Sequence, residues 1–324
     1  MSPKALVTGA TGFIGSYLTE ALIRRGWKTT CLVRETSRTD FLQKLPVSFL
    51  FGDADDLESL EKAVKGMDYV FHSAGQIRPV SREIYDKANH RFTRNLILAC
   101  VRANPHIKRF VYISSISAAG PSLLNSFADE SPSCHPSSEY GRSKLRGELA
   151  VREHWSSVPA TIIRPPNVFG RKHAETEIII KIIKRRMVPL LRERGKMISL
   201  IYIKDLVEGI IKASLSPRTE SQVYYLTDGG AYSWREVILT LKKYILGNSL
   251  FFFPIPESII YFSAWLADFF RKVGVVNIFF GRKMWNEMVR TAWLFSPQKA
   301  KRDFGFQAEF DLDKGVQDLL KFYD

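Results

Sequence analysis

Cysteine is scarce: the 324 residues hold three, Cys31, Cys100 and Cys134, all far apart. No CxxC pair exists, and His135 beside Cys134 is too little for a zinc site, so no metal centre is expected. Cys31 and Cys100 fall in apolar elements, as buried thiols do, and the usage fits a reducing compartment. Acidic residues are also in short supply, 33 against 47 basic ones, for a net charge of +14. That excess favours anionic partners such as nucleotide phosphates, acidic lipid surfaces or nucleic acid. The basic residues are scattered, however, with small clusters at Arg24-Arg25, Lys184-Arg185-Arg186 and Arg192/Arg194/Lys196. An RNA-binding aromatic signature and a helix-turn-helix signal are both missing, so no nucleic-acid partner is expected. Long apolar runs are missing too. None of signal-peptide length precedes the first motif, and none reaches the ~20 apolar residues of a membrane span. A cytoplasmic protein is expected.

What is present starts at once. Residues 4–8, KALVT, form a short apolar β run, followed by GATGFIG with Gly9, Gly12 and Gly15. A helical pattern of Phe13, Ile14, Tyr17, Leu18, Ala21 and Leu22 comes next. In such a strand, turn and helix the first glycine permits the tight turn and the second lets backbone approach a pyrophosphate. The third lets helix and strand pack closely. The phosphate would sit on free N–H groups at the helix start, around Phe13 and Ile14. The spacing GxxGxxG resembles the extended short-chain dehydrogenase/reductase superfamily (the NAD-dependent epimerase/dehydratase family).

The second strand, KTTCLV, ends at Val33-Arg34, with Ser37 and Arg38 behind it. An acidic residue there would bind the ribose 2′-hydroxyl, whereas arginine accommodates a 2′-phosphate. NADP(H) is therefore favoured over NAD(H), with Arg34 and Arg38 as plain solvated cations the alternative. A third strand, Val47–Phe51, runs into Gly52-Asp53. The resemblance places Asp53 by the adenine, and an N-cap role for Asp53 or Asp55 is compatible with that. A fourth strand, Tyr69–His72, leads into Ser73-Ala74-Gly75, similar to a family segment whose small residues line the cofactor.

Arg109–Ile113 is an apolar strand ending in Ser114-Ser115, and SSEYGRSKLRGE follows some residues on. Tyr140 and Lys144 are four apart, which stacks both on one helix face. A free tyrosine, with a pKa near ~10, is a poor acid–base group at neutral pH. A nearby ammonium favours the phenolate and lowers that value, and the tyrosine can then exchange a proton with a substrate oxygen as hydride moves. The resemblance assigns Tyr140 as acid/base, Lys144 as nicotinamide-ribose ligand, and Ser115 as partner of the substrate oxygen, with Ser114 the alternative. Asn89 heads NHRFTRNL, similar to the family's NVxGTxNLL helix, with Phe92 in place of glycine. RPPNVFG, Arg164 to Gly170, resembles RPxxVYG. Its prolines force an extended exit, and Pro165, Asn167 and Val168 pass the nicotinamide. Arg164 is as well explained by a structural ion pair.

Further on, LIYIKDLVEGI has Tyr202 where many sugar-nucleotide enzymes carry histidine, which brings it closer to the 3β-hydroxysteroid dehydrogenase/dihydroflavonol reductase-like branch. Ser233 and Glu236 form a capping box. FFFPIPESIIYFSAWLADFF, Phe251–Phe270, reads as a helix over Ser258–Phe270 facing a core, an apolar ligand or, with 250–283 as a whole, a membrane surface. The expected fold is a Rossmann-type, doubly wound parallel sheet. A dinucleotide domain covers 1–165 with 200–228 returning to it, and 166–199 and 229–324 form a smaller substrate domain. The resemblance implies a homodimer. The leading expectation is hydride transfer between a nicotinamide and a secondary alcohol or ketone of steroid, flavonoid or lipid type. A nucleotide-sugar epimerase is the rival. A dehydratase is disfavoured because Ile116 and Ser117 follow Ser115. A protein that binds NADP without catalysis is disfavoured by the intact Ser115, Tyr140 and Lys144.

Overall fold

The computed structural model describes residues 2–78, 80–123, 126–184, 188–191, 197–247, 252–255, 265, 292–321 and 323, with 188–191 and 252–255 described as backbone. The expected helix Ser258–Phe270 lies outside the described residues apart from Trp265, which is helical and exposed.

Strands β1 (Lys4–Thr8), β2 (Lys28–Val33), β3 (Ser48–Phe51), β4 (Tyr69–His72), β5 (Arg109–Ile113) and β6 (Ala160–Arg164) alternate with helices. The helices are α1 (Phe13–Arg24), α2 (Leu57–Val64), α3 (Arg82–Tyr85), α4 (Phe92–Ala103), α5 (Ile116–Ala119) and α6 (Glu139–Arg152). After β7 (Asn167–Phe169) come α7 (Ala174–Lys184), β8 (Val188–Leu191), β9 (Leu200–Tyr202), α8 (Ile203–Leu215) and β10 (Gln222–Tyr225). The rest of the described chain forms α9 (Trp234–Leu246), β11 (Phe252–Ile255), α10 (Gln298–Phe304) and α11 (Leu312–Leu320).

Seven strands form one sheet in the order β10-β6-β5-β4-β1-β2-β3, every pair parallel. The apolar runs of β4, β5 and β6 are buried at every position, as strands covered on both faces must be. Helices α1 and α8 pack on one another, and α4 packs with α2 and α6. Among the described residues the two larger apolar cores hold Val7, Leu18 and Leu206 in one and Leu6, Leu96 and Phe110 in the other. Chain order reverses between β1 and β4, which opens a crevice at the carboxyl ends of the strands. Two short parallel pairs, β7 with β9 and β8 with β11, stand apart from the main sheet.

Local details differ from expectation in two places. The N-cap of α2 is Asp56, whose carboxylate accepts from Ser59 N; Asp53 instead accepts from Asp55 N at 3.0 Å and closes the turn before it. A helix cap must stand two or three residues ahead of the N–H it binds, and the helix starts too late for Asp53. Nor does Asn89 head its helix. It lies inside a continuous helical run, in a π-helical turn, Asp86–Arg91, between α3 and α4. Phe92 packs edge-on against the His72 ring at 4.9 Å, filling the place of the family's glycine. The capping box of Ser233 and Glu236 is present at α9. Among the described residues no helix is long and apolar enough to cross a membrane.

Candidate active site

A cavity of about 370 Å³ lies at the carboxyl ends of the strands. The turns after β1, β4, β5 and β6 supply one side through Gly12, Gly75, Ser115 and Pro165. Gly9 takes φ +71°, and a Cβ there would come within 2.6 Å of Ala74 N. Gly15 is equally confined, because a Cβ would strike the Gly9 carbonyl. At Gly12 a Cβ would meet only Gly9 O, at 3.2 Å, so its outer face opens on the cavity. Helix α1 has no side-chain cap and no acid in its first turn. Its N–H groups thus face the cavity beside Phe13 and Ile14 without a competing anion, a cradle that fits a pyrophosphate.

The turn after β4 is held by one amide. Buried Asn89 accepts from Gln76 N at 2.8 Å and donates to Gln76 O at 3.0 Å and Ser143 Oγ at 2.9 Å. Gly75 passes so close that a Cβ would lie 2.7 Å from Asn89 Oδ1.

Ser115, Tyr140 and Lys144 meet at the cavity. Ser115 caps α5 by accepting from Ser117 N. Ser114 is committed elsewhere, donating to Glu148 Oε1 at 2.6 Å. Lys144 is buried and donates to Ile113 O at 2.7 Å, with its ammonium 4.3 Å from the Tyr112 ring centroid. Burial pulls the Lys144 pKa down to about 7, against the Glu148 charge, which raises it. The Tyr140 hydroxyl is pushed up to about 12 by burial, against the lowering effect of Ser115. The expected depression of Tyr140 by Lys144 is therefore not found. The ammonium is turned onto the Ile113 carbonyl, and desolvation of the phenolate dominates.

Pro165, Asn167 and Val168 line the cavity beside these groups. Gly9, Gly15 and Ala74 support the walls from behind, Ala74 N donating to Thr8 Oγ1 at 3.3 Å. Arg34 and Asp53 lie outside the cavity on exposed turns, with Arg34 N bonded to Ser37 Oγ at 3.1 Å. Arg164 is fully buried, its Nε 2.9 Å from Glu148 Oε1 and its Nη2 2.6 Å from Oε2. That is a structural ion pair.

Several participants escaped the sequence reading. Glu148 stands four residues after Lys144 on the Tyr140 face, a spacing that could have exposed it. His173 stacks on Phe13 at 4.7 Å and shares a 3.1 Å hydrogen bond with Thr176 Oγ1; burial lowers its pKa. The far wall is apolar, built by Ile179 of α7, Trp234, Val237 and Leu241 of α9, and Val316 and Leu319 of α11. Their helical spacing reads equally well as ordinary core.

A glycine turn at the switch point of a parallel sheet, with serine, tyrosine and lysine converging beside it, defines a dinucleotide-dependent Rossmann enzyme. The chain belongs to the NAD dependent epimerase/dehydratase family, which it matches over residues 5–226. It is an NAD(P)-dependent oxidoreductase or epimerase of the extended short-chain dehydrogenase type. It is 26% identical over 317 residues to a ceramide reductase of Caulobacter vibrioides, covering 98% of this chain and 93% of that one. It is 22% identical over 333 residues to a decarboxylating sterol-4-alpha-carboxylate 3-dehydrogenase of Dictyostelium discoideum, covering 98% and 99%. The crystal structure of gox2253 superposes with a TM-score of 0.81 at 25% identity, covering 99% of this chain and 98% of that one.

Proposed function

We propose that this enzyme transfers a hydride between NADP(H) and a secondary alcohol or ketone carried on an apolar, lipid-like substrate. One observation carries the substrate class. Beyond Ser115 and Tyr140 the cavity is walled mainly by aliphatic side chains and Trp234, and among the described residues no arginine lines it. A sugar diphosphate would call for cations there. The ceramide reductase and the sterol dehydrogenase, each similar over nearly its whole length, support the same reading.

A bound nicotinamide supplies the hydride, or accepts it in the reverse direction. Gly12, Phe13 and Ile14 would hold the pyrophosphate on backbone N–H groups, and Arg34 the 2′-phosphate. Gly75, Asn89, Pro165, Asn167 and Val168 would flank the nicotinamide half, with Lys144 on its ribose. In reduction the Tyr140 hydroxyl gives its proton to the carbonyl oxygen as the carbonyl carbon is reduced, and Ser115 Oγ–H steadies that oxygen. The high proton affinity of Tyr140 keeps the donor form populated at neutral pH. In this reading 166–199 and 229–324 supply the substrate side, because the apolar wall comes from α7, α9 and α11.

The test is cofactor turnover with long-chain ketones, sterol ketones and nucleotide sugars, comparing wild type with Tyr140→Phe. NADPH oxidation with an apolar ketone, falling ~10²–10⁴-fold in Tyr140→Phe, is expected. Sugar interconversion without net cofactor change would replace this reading with epimerisation, and stoichiometric binding without turnover would replace it with a sensor.

A further inference from the structure

We propose that Tyr112 is a positioning residue for Lys144: the face of its buried ring, with the Ile113 carbonyl, fixes the ammonium at the cavity and holds it charged. The proposal rests on the reading of Lys144 as part of the reacting site. Tyr112 occupies the next-to-last position of β5 and is fully buried. Lys144 Nζ lies 4.3 Å from its ring centroid, within cation–π range. The ring cannot turn away, since it stacks against His72 at 5.5 Å and its hydroxyl donates to Asn89 O at 3.3 Å. That carbonyl belongs to the π-helical turn, where the helical ladder is interrupted. Helix α6 comes down onto the same spot. A Cβ at Gly147 would overlap the Tyr112 hydroxyl and the Asn89 carbonyl, so only glycine lets Lys144 approach this closely.

The surrounding groups leave the ring an important share of the task. On α6, Tyr140 is neutral at ordinary pH, and Glu148, whose charge favours the ammonium, shares its carboxylate with Arg164 of β6. From β4, His72 is held neutral between Thr8 and Thr93, its pKa pushed down to about 3 by burial and by Lys144. From β5 and the π-helical turn, Ser114, Ser115 and Asn89 contribute neutral dipoles. Burial alone works against the ammonium. The electron-rich ring face opposes it without a charge that would itself need solvation.

The experiment titrates Lys144 directly, by NMR of the full chain labelled with [13Cε]lysine, the signal assigned with Lys144→Met. Tyr112→Phe keeps the ring and should leave the midpoint within about 0.3 pH units, whereas Tyr112→Leu should lower it by about one unit. Fluorinated phenylalanines at position 112 weaken the ring face in steps at nearly constant shape, so the midpoint should fall with each added fluorine. This series decides the matter even if the leucine variant does not fold. A flat fluorine series would overturn the proposal, as would a Phe variant that shifts as far as Leu. The alkaline limb of ketone reduction should move with the midpoint. If no ketone is turned over, the NMR titration still stands, so failure of the catalytic reading is distinguishable from failure of this one.

Discussion

Replacing Arg164 by methionine removes one half of an ion pair that water cannot reach. The Glu148 side chain is 0% exposed and the Arg164 side chain 2%. Glu148 would keep the Ser114 hydroxyl at 2.6 Å and the more distant Arg152 at 3.8 Å, but lose both guanidinium bonds. Tyr225 OH and Cys134 Sγ, each 3.0 Å from the guanidinium, would lose a donor as well. A buried charge stripped of its partner costs about 3–5 kcal/mol, which for a chain of 324 residues lowers Tm by roughly 4–7 °C. Urea unfolding of wild type, Arg164→Met, Glu148→Gln and the double variant gives the cycle. The double variant should recover much of the loss, because no uncompensated charge remains. A single-variant loss below about 1 kcal/mol would show that the pair is solvated and would refute the buried-charge penalty.

Three further outcomes are expected. Arg34→Ala should raise KM for NADPH about 10-fold or more through loss of a charge-assisted contact, and leave NADH kinetics nearly unchanged. Gly75→Ala drives a methyl to within 2.7 Å of Asn89 Oδ1, so weaker cofactor affinity with a modest fall in Tm is expected by fluorescence titration and thermal unfolding. Ile179→Trp fills the cavity from α7 and should raise KM for bulky apolar ketones about 10-fold, with NADPH affinity intact in the same assays.

Much of the frame was legible because its causes are local. A β run, a glycine at positive φ and an apolar helix stripe announce a strand, turn and helix without reference to the rest of the chain. The Ser233 capping box is as local. What escaped depends on partners distant in sequence. Glu148 reads as one more charge on a polar helix until Arg164 is brought across from β6. Tyr112 reads as a core aromatic until Gly147 admits Lys144 beside it. The proton affinity of Tyr140 could not be read from the Tyr140–Lys144 spacing. Spacing says that the two share a face, not that the ammonium turns to Ile113 or how much water burial removes. Phe251–Phe270, which reads as facing a core, an apolar ligand or a membrane surface, lies outside the described residues apart from Trp265 and the backbone of 252–255; the described wall comes from α7, α9 and α11, whose stripes resemble any amphipathic helix.

Val316 and Leu319 line the cavity while being 1% and 0% exposed, so α11 is cavity wall and hydrophobic core at once. On α7, by contrast, the cavity-lining Glu175 is itself open to solvent, as is Ile178 beside the cavity-lining Ile179. The two walls therefore tolerate change unequally. Enlarging the site from α11 opens a hole in the core and weakens the fold with every methylene removed, whereas α7 can be recut at its rim with little effect on stability. Selection for a new substrate, in the laboratory or in lineage history, should accumulate its substitutions on α7 first and leave α11 nearly untouched.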